Sequence, residues 1–262
     1  MMKTPIVMTA FGTTTKALET YDFMNEKLAF RFKDHEILWA YSSRMVKDWI
    51  KKRRNIDLKH PHEILAGLSS KGHLWAVVQS LHLFCGHEFY RMVQEVENCP
   101  IRTSIGLPLL TEPKDYELMS ENCRNSFDGN NEEAVVLVGH GTDHPVWSSY
   151  IALQHMLQQK IGQKIYIGVV EGFPERSGII DRVKSSGFKK VRLIPFMLVA
   201  GTHFQEDLIG EEDSWKTAFE QEDICVTADA NGLGMNENII EIFIRHIEDA
   251  LCVIPDMMPE RI

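Results

Sequence analysis

Apolar runs that lack polar alternation recur along the chain and end in small and polar residues. The clearest runs from Ala134 to Val138 and is followed by Gly139, His140 and Gly141. Five apolar, mostly β-branched residues in a row are typical of a strand buried on both faces, as in a parallel sheet covered by helices. His140 then follows the carboxyl end of this strand, at the edge where open α/β sheets bind ligands.

Strands and helices are predicted to alternate along the whole chain. Besides the strand at Ala134, apolar runs predict strands at residues 5–10, 36–41, 73–84, 102–107, 164–170, 190–199 and 224–227. Helical patterns begin near residue 16 and cover residues 47–54, 61–70, 112–122, 147–161, 175–186, 214–221 and 236–251. This order is typical of βαβ units, so we predict an α/β fold with parallel sheets.

The polar segment 125–131 is the best candidate for a linker, because it combines asparagine, serine, aspartate and glycine. It divides the chain into an amino-terminal α/β half, residues 1–128, and a carboxy-terminal α/β half, residues 129–262. We expect the carboxy-terminal half to carry the functional side chains.

The two halves match one another where their strands end. The first two of the following pairs are 129 residues apart and the third is 115 residues apart: Phe11 with His140, Ser42 with Glu171, and Glu88 with His203. Such internal repetition indicates two related sheet domains. A pseudo-twofold axis would place them on either side of a cleft.

His140, Glu171 and His203 are the candidate metal-binding and catalytic residues. Two imidazoles and a carboxylate can bind a divalent transition metal such as cobalt, nickel, iron or zinc, and they can accept protons. A single histidine after a buried strand often only bonds to the backbone. The joint placement of three such groups at neighbouring strand ends favours a functional site, because such sites need convergent groups.

Other histidines have weaker claims. His144 either orients His140 or caps the helix that follows, and the sequence leaves both open. His82 is expected to pack within the third strand, and His87 to be a solvated loop residue rather than a peripheral ligand. The remaining histidines are expected at the surface: His35, His60, His62, His73, His155 and His246.

Composition and charge narrow the function classes. A net charge of -9 argues against a nucleic-acid partner. No run reaches transmembrane length, residues 1–10 fit a first strand rather than a signal peptide, and the five cysteines are scattered, so we expect a cytoplasmic protein. The sequence has no P-loop, GxGxxG or GxSxG motif, so we expect no nucleotide cofactor and no acyl transfer.

Several segments together resemble the anaerobic sirohydrochlorin cobaltochelatases of the CbiK type. In the second half they are Val138-Gly139-His140-Gly141, Val170-Glu171, residues 193–203 (LIPFMLVAGTH) and Asp213-Ser214-Trp215-Lys216. In the first half they are Phe11-Gly12-Thr13, Gln79-Ser80-Leu81-His82 and residues 106–110 (GLPLL). The resemblance runs from the first strand to the last helix.

The resemblance implies two flavodoxin-like, Rossmann-like domains that enclose a tetrapyrrole cleft. It implies ATP-independent insertion of cobalt(II) into sirohydrochlorin in anaerobic cobalamin biosynthesis, with the metal as substrate. The family's metal-binding histidines correspond to His140 and His203, and its cleft carboxylate to Glu171. Phe204 and Glu206 depart from the commoner family pattern, in which these positions are smaller or carry an amide.

Sirohydrochlorin carries many carboxylates, so positively charged and hydroxyl side chains near the cleft are expected to contact it. The candidate substrate-binding residues are Phe11, Thr13, Arg44 and Glu88. Two alternatives stay open: an iron or nickel chelatase acting on a related tetrapyrrole, and a carrier that binds tetrapyrrole or metal without turnover. An exposed apolar patch could also support a homo-oligomer.

Overall fold

A computed structural model describes residues 3–12, 18–43, 58–127 and 132–254. Two of the candidate substrate contacts, Thr13 and Arg44, lie outside these ranges, as does the predicted helical stretch 47–54. No helix in the described ranges is long and apolar enough to span a membrane.

Eight strands and eight α-helices alternate in the described part of the chain. The strands are β1 (Ile6–Ala10), β2 (Ile37–Tyr41), β3 (Trp75–Ser80), β4 (Arg102–Gly106), β5 (Ala134–Gly139), β6 (Ile165–Val169), β7 (Lys190–Pro195) and β8 (Cys225–Ala228). The helices are α1 (Glu19–Arg31), α2 (Pro61–Ser70), α3 (His87–Glu97), α4 (Pro113–Phe127), α5 (Ser148–Ile161), α6 (Arg176–Ser185), α7 (Trp215–Glu220) and α8 (Glu237–Cys252).

The strands form two four-stranded parallel sheets of the same topology. The order is β2-β1-β3-β4 in the first sheet and β6-β5-β7-β8 in the second. In each sheet the second strand along the chain lies on one side of β1 or β5, and the third strand lies on its other side. The loops that leave the carboxyl ends of these strands therefore run to opposite sides and leave a crevice between them. The α/β class and the parallel sheets predicted from the sequence are confirmed.

A single hydrophobic core joins the inner faces of the two sheets. Met8 and Val77 of the first sheet belong to the same buried cluster as Leu137 and Ile194 of the second. Helices α1, α4, α5 and α8 and the loops after β3 and β4 contribute further residues to this cluster. The outer face of the first sheet is covered by α2 and α3, and that of the second by α6 and α7.

The last helix of the chain packs against the first sheet. Helix α8 contacts β3, β4 and α1, while α4 from the first half packs against α5 from the second. Each sheet thus draws its strands from one half of the chain, but α8 covers the sheet of the other half and α4 packs against a helix of the other half. The division of the chain at residue 128 stays a prediction.

A buried polar network fixes α8 in place. His246 is only 3% exposed, and its ring nitrogens lie 2.9 Å from the Leu107 carbonyl oxygen and 3.0 Å from Asp115 Oδ1. Arg245 also bonds to Asp115, which is fully buried. The expectation that His246 is a surface residue was therefore wrong, because its helix is covered by the first half of the chain.

Two predicted strands are longer than the observed ones. β3 ends at Ser80 rather than residue 84, and β7 ends at Pro195 rather than residue 199. The loops that follow keep four apolar residues buried: Leu81, Phe84, Phe196 and Met197. The Met197 carbonyl oxygen accepts a hydrogen bond from the Leu233 amide. An apolar run indicates which residues are buried. In these two segments the buried residues continue beyond the last paired residue of the strand, so the predicted strands were too long.

One helix was absent from the sequence-based prediction, and the predicted linker is partly helical. Helix α3 buries Phe89, Met92 and Val96, whose spacing is that of one helix face. Helix α4 continues through Phe127, so residues 125–127 of the proposed linker belong to it, and residues 128–131 lie outside the described ranges.

Candidate active site

The three candidate ligands follow the carboxyl ends of three neighbouring strands. His140 comes directly after β5, Glu171 comes two residues after β6, and His203 follows β7 after a seven-residue loop. Because β5 lies between β6 and β7, the three chain segments meet at one edge of the second sheet. All three residues are exposed.

The two histidine rings lie against each other. The centroids of His140 and His203 are 4.6 Å apart and the rings are nearly perpendicular, at 89°. Neither ring is buried, so both can reach a ligand that enters from solvent. The sequence-based pairing of these two residues, which are 63 positions apart, agrees with this arrangement.

The two rings are held differently. Nδ1 of His140 lies 3.4 Å from the carbonyl oxygen of the next residue, Gly141, which is a long contact. Nδ1 of His203 lies 2.6 Å from Oδ2 of Asp207, a carboxylate one turn further along the chain. The sequence analysis missed Asp207, although a separation of four residues would have placed it beside His203 on a helical turn.

The backbone holds Glu171 beside His140. The Glu171 amide donates to the His140 carbonyl oxygen at 2.9 Å, and the Val170 amide donates to Gly139 at the same distance. Gly141 lies next to this pairing with φ of +95°, and a Cβ at this position would lie 1.7 Å from the Glu171 carbonyl oxygen. Only glycine fits there, so the His140-Gly141 dipeptide is required for the close approach of the two loops.

A buried tyrosine, Tyr150, contacts the backbone on both sides of His140. The Tyr150 hydroxyl accepts a hydrogen bond from the Gly141 amide at 3.3 Å, and its ring lies where a Cβ of Gly139 would be. Burial raises the pKa of Tyr150 to about 12, although the bond from Gly141 opposes this shift. The phenol is therefore protonated at neutral pH and fixes the loop as a neutral group.

His140, Glu171 and His203 do not form a closed three-ligand cage. Among the residues that the structure describes, no three histidine, cysteine, aspartate or glutamate side chains are close enough to hold one metal ion. The observed pair of imidazoles is an open site, with Glu171 next to it along the sheet edge. The role of Glu171 as third ligand or base stays a prediction.

The first half contributes Phe11 and Glu88 near the equivalent strand ends. Phe11 follows β1 and is 47% exposed. Glu88 lies in the first turn of α3 and bonds to Arg91 at 2.6 Å. The neighbouring His87 reaches across to the second half, where its Nε2 is 2.9 Å from Asp143 Oδ1. The assignment of Phe11 and Glu88 to substrate binding stays a prediction.

His144 caps a short helical turn. Its Nδ1 accepts a hydrogen bond from the Val146 amide at 3.2 Å, and its ring packs against His87 with centroids 4.9 Å apart. Of the two roles left open by the sequence, capping is the one observed.

Comparison with known proteins identifies the family. The family model described as cobalt chelatase (CbiK) matches residues 4–252. The chain belongs to this cobalt chelatase family. The match extends from the residues just before β1 to the last residue of α8, so it includes both sheets and all three candidate ligands.

Two curated relatives are similar to this cobalt chelatase family member over nearly all of its length. The sirohydrochlorin cobaltochelatase of Salmonella typhimurium is 32% identical over 95% of this chain and 97% of its own. The sirohydrochlorin cobaltochelatase CbiKC of Nitratidesulfovibrio vulgaris is 28% identical over 98% of this chain and 93% of its own.

A solved structure shares the fold of the family member. SirB from Bacillus subtilis with Fe³⁺ superimposes with a TM-score of 0.65, covers 95% of this chain and 96% of its own, and is 13% identical. At this identity the likeness supports the arrangement of the two sheets and nothing about the metal.

Proposed function

We propose that this protein inserts cobalt(II) into sirohydrochlorin without ATP. The observation that carries the proposal is the open pair of imidazoles, His140 and His203, at the carboxyl edge of the second sheet. Nitrogen donors suit cobalt(II), and an open site can pass its metal on to another set of nitrogens. The names of the two full-length relatives supply the substrate.

Insertion exchanges protein ligands for the ring nitrogens of the tetrapyrrole. Cobalt(II) is bound first by His140 and His203, and the macrocycle then approaches from the cleft. Four nitrogen–cobalt bonds form, and the two pyrrole N–H bonds of the free macrocycle break, so two protons must leave. Glu171, which lies next to His140, is the candidate base for one of them, and an imidazole freed of the metal can take the other.

The substrate's carboxylates and its flat ring require different contacts. We assign the face of the ring to Phe11, which is half exposed beside the strand ends of the first half. We assign the carboxylates to Arg44 and Thr13, and we place Glu88 at the cleft wall, where Arg91 balances its charge. The scattered free cysteines support a cytoplasmic location.

A single-turnover assay tests the proposal. Purified protein is mixed with sirohydrochlorin and cobalt(II), and the absorbance spectrum of the tetrapyrrole reports insertion; iron(II) and nickel(II) follow under the same conditions. We expect fast conversion with cobalt(II). Binding of the tetrapyrrole without spectral conversion would favour a carrier, and faster conversion with iron or nickel would favour the other chelatases.

Two variants locate the reaction. His140→Ala and His203→Ala should each lose insertion, whereas His155→Ala, which changes an exposed histidine on α5, should keep it. Wild-type rates in both ligand variants would contradict the proposed site while leaving the activity itself intact.

A further inference from the structure

Asp207 and His203 form an isolated pair at the edge of the site. Nδ1 of His203 is 2.6 Å from Asp207 Oδ2, and the two side chains are 46% and 35% exposed. In the described part of the chain, Asp207 has no other hydrogen bond or ion pair. Its carboxylate therefore serves one partner, and that partner is one of the two imidazoles of the site.

The backbone that carries this pair is a π-helical turn, Phe204–Leu208. The Ile209 amide donates to the Phe204 carbonyl oxygen, five residues back. Phe204 and Leu208 are buried in the core on the outer face of the second sheet, which anchors the turn at both ends. Single π-turns are rare and occur frequently at functional sites.

A carboxylate beside Nδ1 decides which nitrogen of His203 can bind a metal. The carboxylate only accepts, so Nδ1 carries the hydrogen and the lone pair lies on Nε2. The same bond fixes the ring orientation and makes Nε2 a stronger donor. Among the described residues, the hydrogen-bond contact of the His140 ring is the long one to the adjacent Gly141 carbonyl, and no carboxylate orients this ring.

We propose that Asp207 is a positioning residue that presets His203 as the first ligand of the incoming cobalt ion. His140, which is held less firmly, completes the site and is the ligand more easily withdrawn when the ring nitrogens take over. This inference rests on the proposed function, because it assigns an order to the two ligands of the same site.

Cobalt binding in the absence of tetrapyrrole tests the inference directly. Dissociation constants are measured by competition with a coloured chelator for wild type, Asp207→Ala, Asp207→Asn and Glu206→Ala. We expect the dissociation constant to rise about 10- to 100-fold in Asp207→Ala, the usual effect of removing such a partner. Asp207→Asn keeps an acceptor oxygen but loses the charge, so its dissociation constant for cobalt should lie between those of wild type and Asp207→Ala.

Glu206→Ala is the matched control, because it removes an exposed carboxylate from the same turn. It should bind cobalt as wild type does. In steady-state assays Asp207→Ala should raise KM for cobalt and leave KM for sirohydrochlorin unchanged. A purely structural role for Asp207 would change neither constant selectively.

The double variant His203→Ala with Asp207→Ala shows whether Asp207 acts through His203. The inference requires that removing Asp207 adds no further loss once His203 is gone. Wild-type cobalt affinity in Asp207→Ala, or an equal loss in the His203→Ala background, would overturn it. If Asp207→Ala does not fold, the same comparison is made with Asp207→Asn.

The two proposals fail in different ways. If wild type binds cobalt but does not insert it, the proposed function fails, and the cobalt affinities still decide the role of Asp207. If wild type inserts cobalt and Asp207→Ala binds it normally, the inference fails alone.

Discussion

The carboxyl edges of the two sheets place their polar groups at different depths. In the first sheet Thr9 and Ser80 are register partners, and both are fully buried. The equivalent register pair of the second sheet is Val138 and Pro195, which are apolar. The second sheet instead carries its polar groups beyond the strand ends, where His140 is exposed.

The two sheets share one topology but differ in where their polar side chains lie. In the second half an apolar strand end seals the core and leaves the imidazoles in the cleft. In the first half polar atoms stay inside, and among the residues that the structure describes five of them have no hydrogen-bond partner: Thr9 Oγ1, Ser42 Oγ, Gln79 Oε1, His82 Nε2 and Ser120 Oγ. The residue equivalent to His82 is Met197. On the proposed site assignment, both imidazole ligands belong to the second sheet, while the first sheet keeps a costly polar interior.

Exchanging equivalent residues is the strongest way to break this comparison. His140→Phe gives the second half the residue found at Phe11, and cobalt insertion should fall by about 1,000-fold, because a proposed metal ligand is lost. The reciprocal Phe11→His, combined with it, should restore nothing, because the equivalents of Glu171 and His203 are Ser42 and Glu88, so the first half has no second imidazole to complete the pair. The rate of cobalt insertion is measured for the single variant and for the double variant. Recovery in the double variant would mean that the halves are interchangeable.

Gly141→Ala tests the close approach of the His140 and Glu171 loops. The added Cβ would meet the Glu171 carbonyl oxygen in a backbone conformation that alanine rarely adopts, so we expect a loss of about 4 kcal/mol in the free energy of unfolding. Gly162 has a similar φ of +96° with nothing within 4 Å of its Cβ position. Gly162→Ala should cost less, about 2 kcal/mol, because φ of +96° with ψ of 179° strains an alanine but nothing obstructs its Cβ. Urea unfolding compares the two, and equal costs would show that the loop contact is unimportant.

His82 should make the stability of the protein depend on pH. Burial lowers the pKa of His82 from its ordinary 6.5 to about 4. Between these values the unfolded chain binds a proton that the folded protein does not, so stability falls as the pH falls from 6.5 to 4. His82→Met should remove about 2 kcal/mol of this dependence.

Urea unfolding at pH 7 and pH 4.5 measures the effect of His82. The control is His155→Met, which replaces an exposed histidine and should leave the dependence unchanged. An equal pH slope in wild type and His82→Met would contradict the prediction.

The smallest effect is expected at Phe11. Phe11→Ala should raise KM for sirohydrochlorin by about fivefold and leave kcat unchanged, because it removes one aromatic contact and no ligand. A fall in kcat with constant KM would place Phe11 in the chemical step instead. Steady-state kinetics with varied tetrapyrrole distinguish the two results.

The sequence predicted most of the frame because parallel strands buried on both faces leave a strong apolar signal. It also predicted that His140 and His203 lie close together, because both follow strand ends that could be matched between the two halves. It did not predict where β3 and β7 end, since burial continues into the loops. It predicted that His246 is exposed, and this was wrong because α8 is buried by residues that are far away in the sequence. Asp207 lay within reach of a spacing argument, had the π-helical turn after His203 been expected.

The position of α8 has a consequence for synthesis of the chain. The strands of the first sheet are complete at Gly106, but the helix that covers β3 and β4 ends only at Cys252. At about 5–20 residues per second, translation takes roughly 7–30 seconds to bridge that interval. During this time the nascent first half exposes an apolar sheet face on the ribosome, so we expect it to depend on chaperones until the last helix is released.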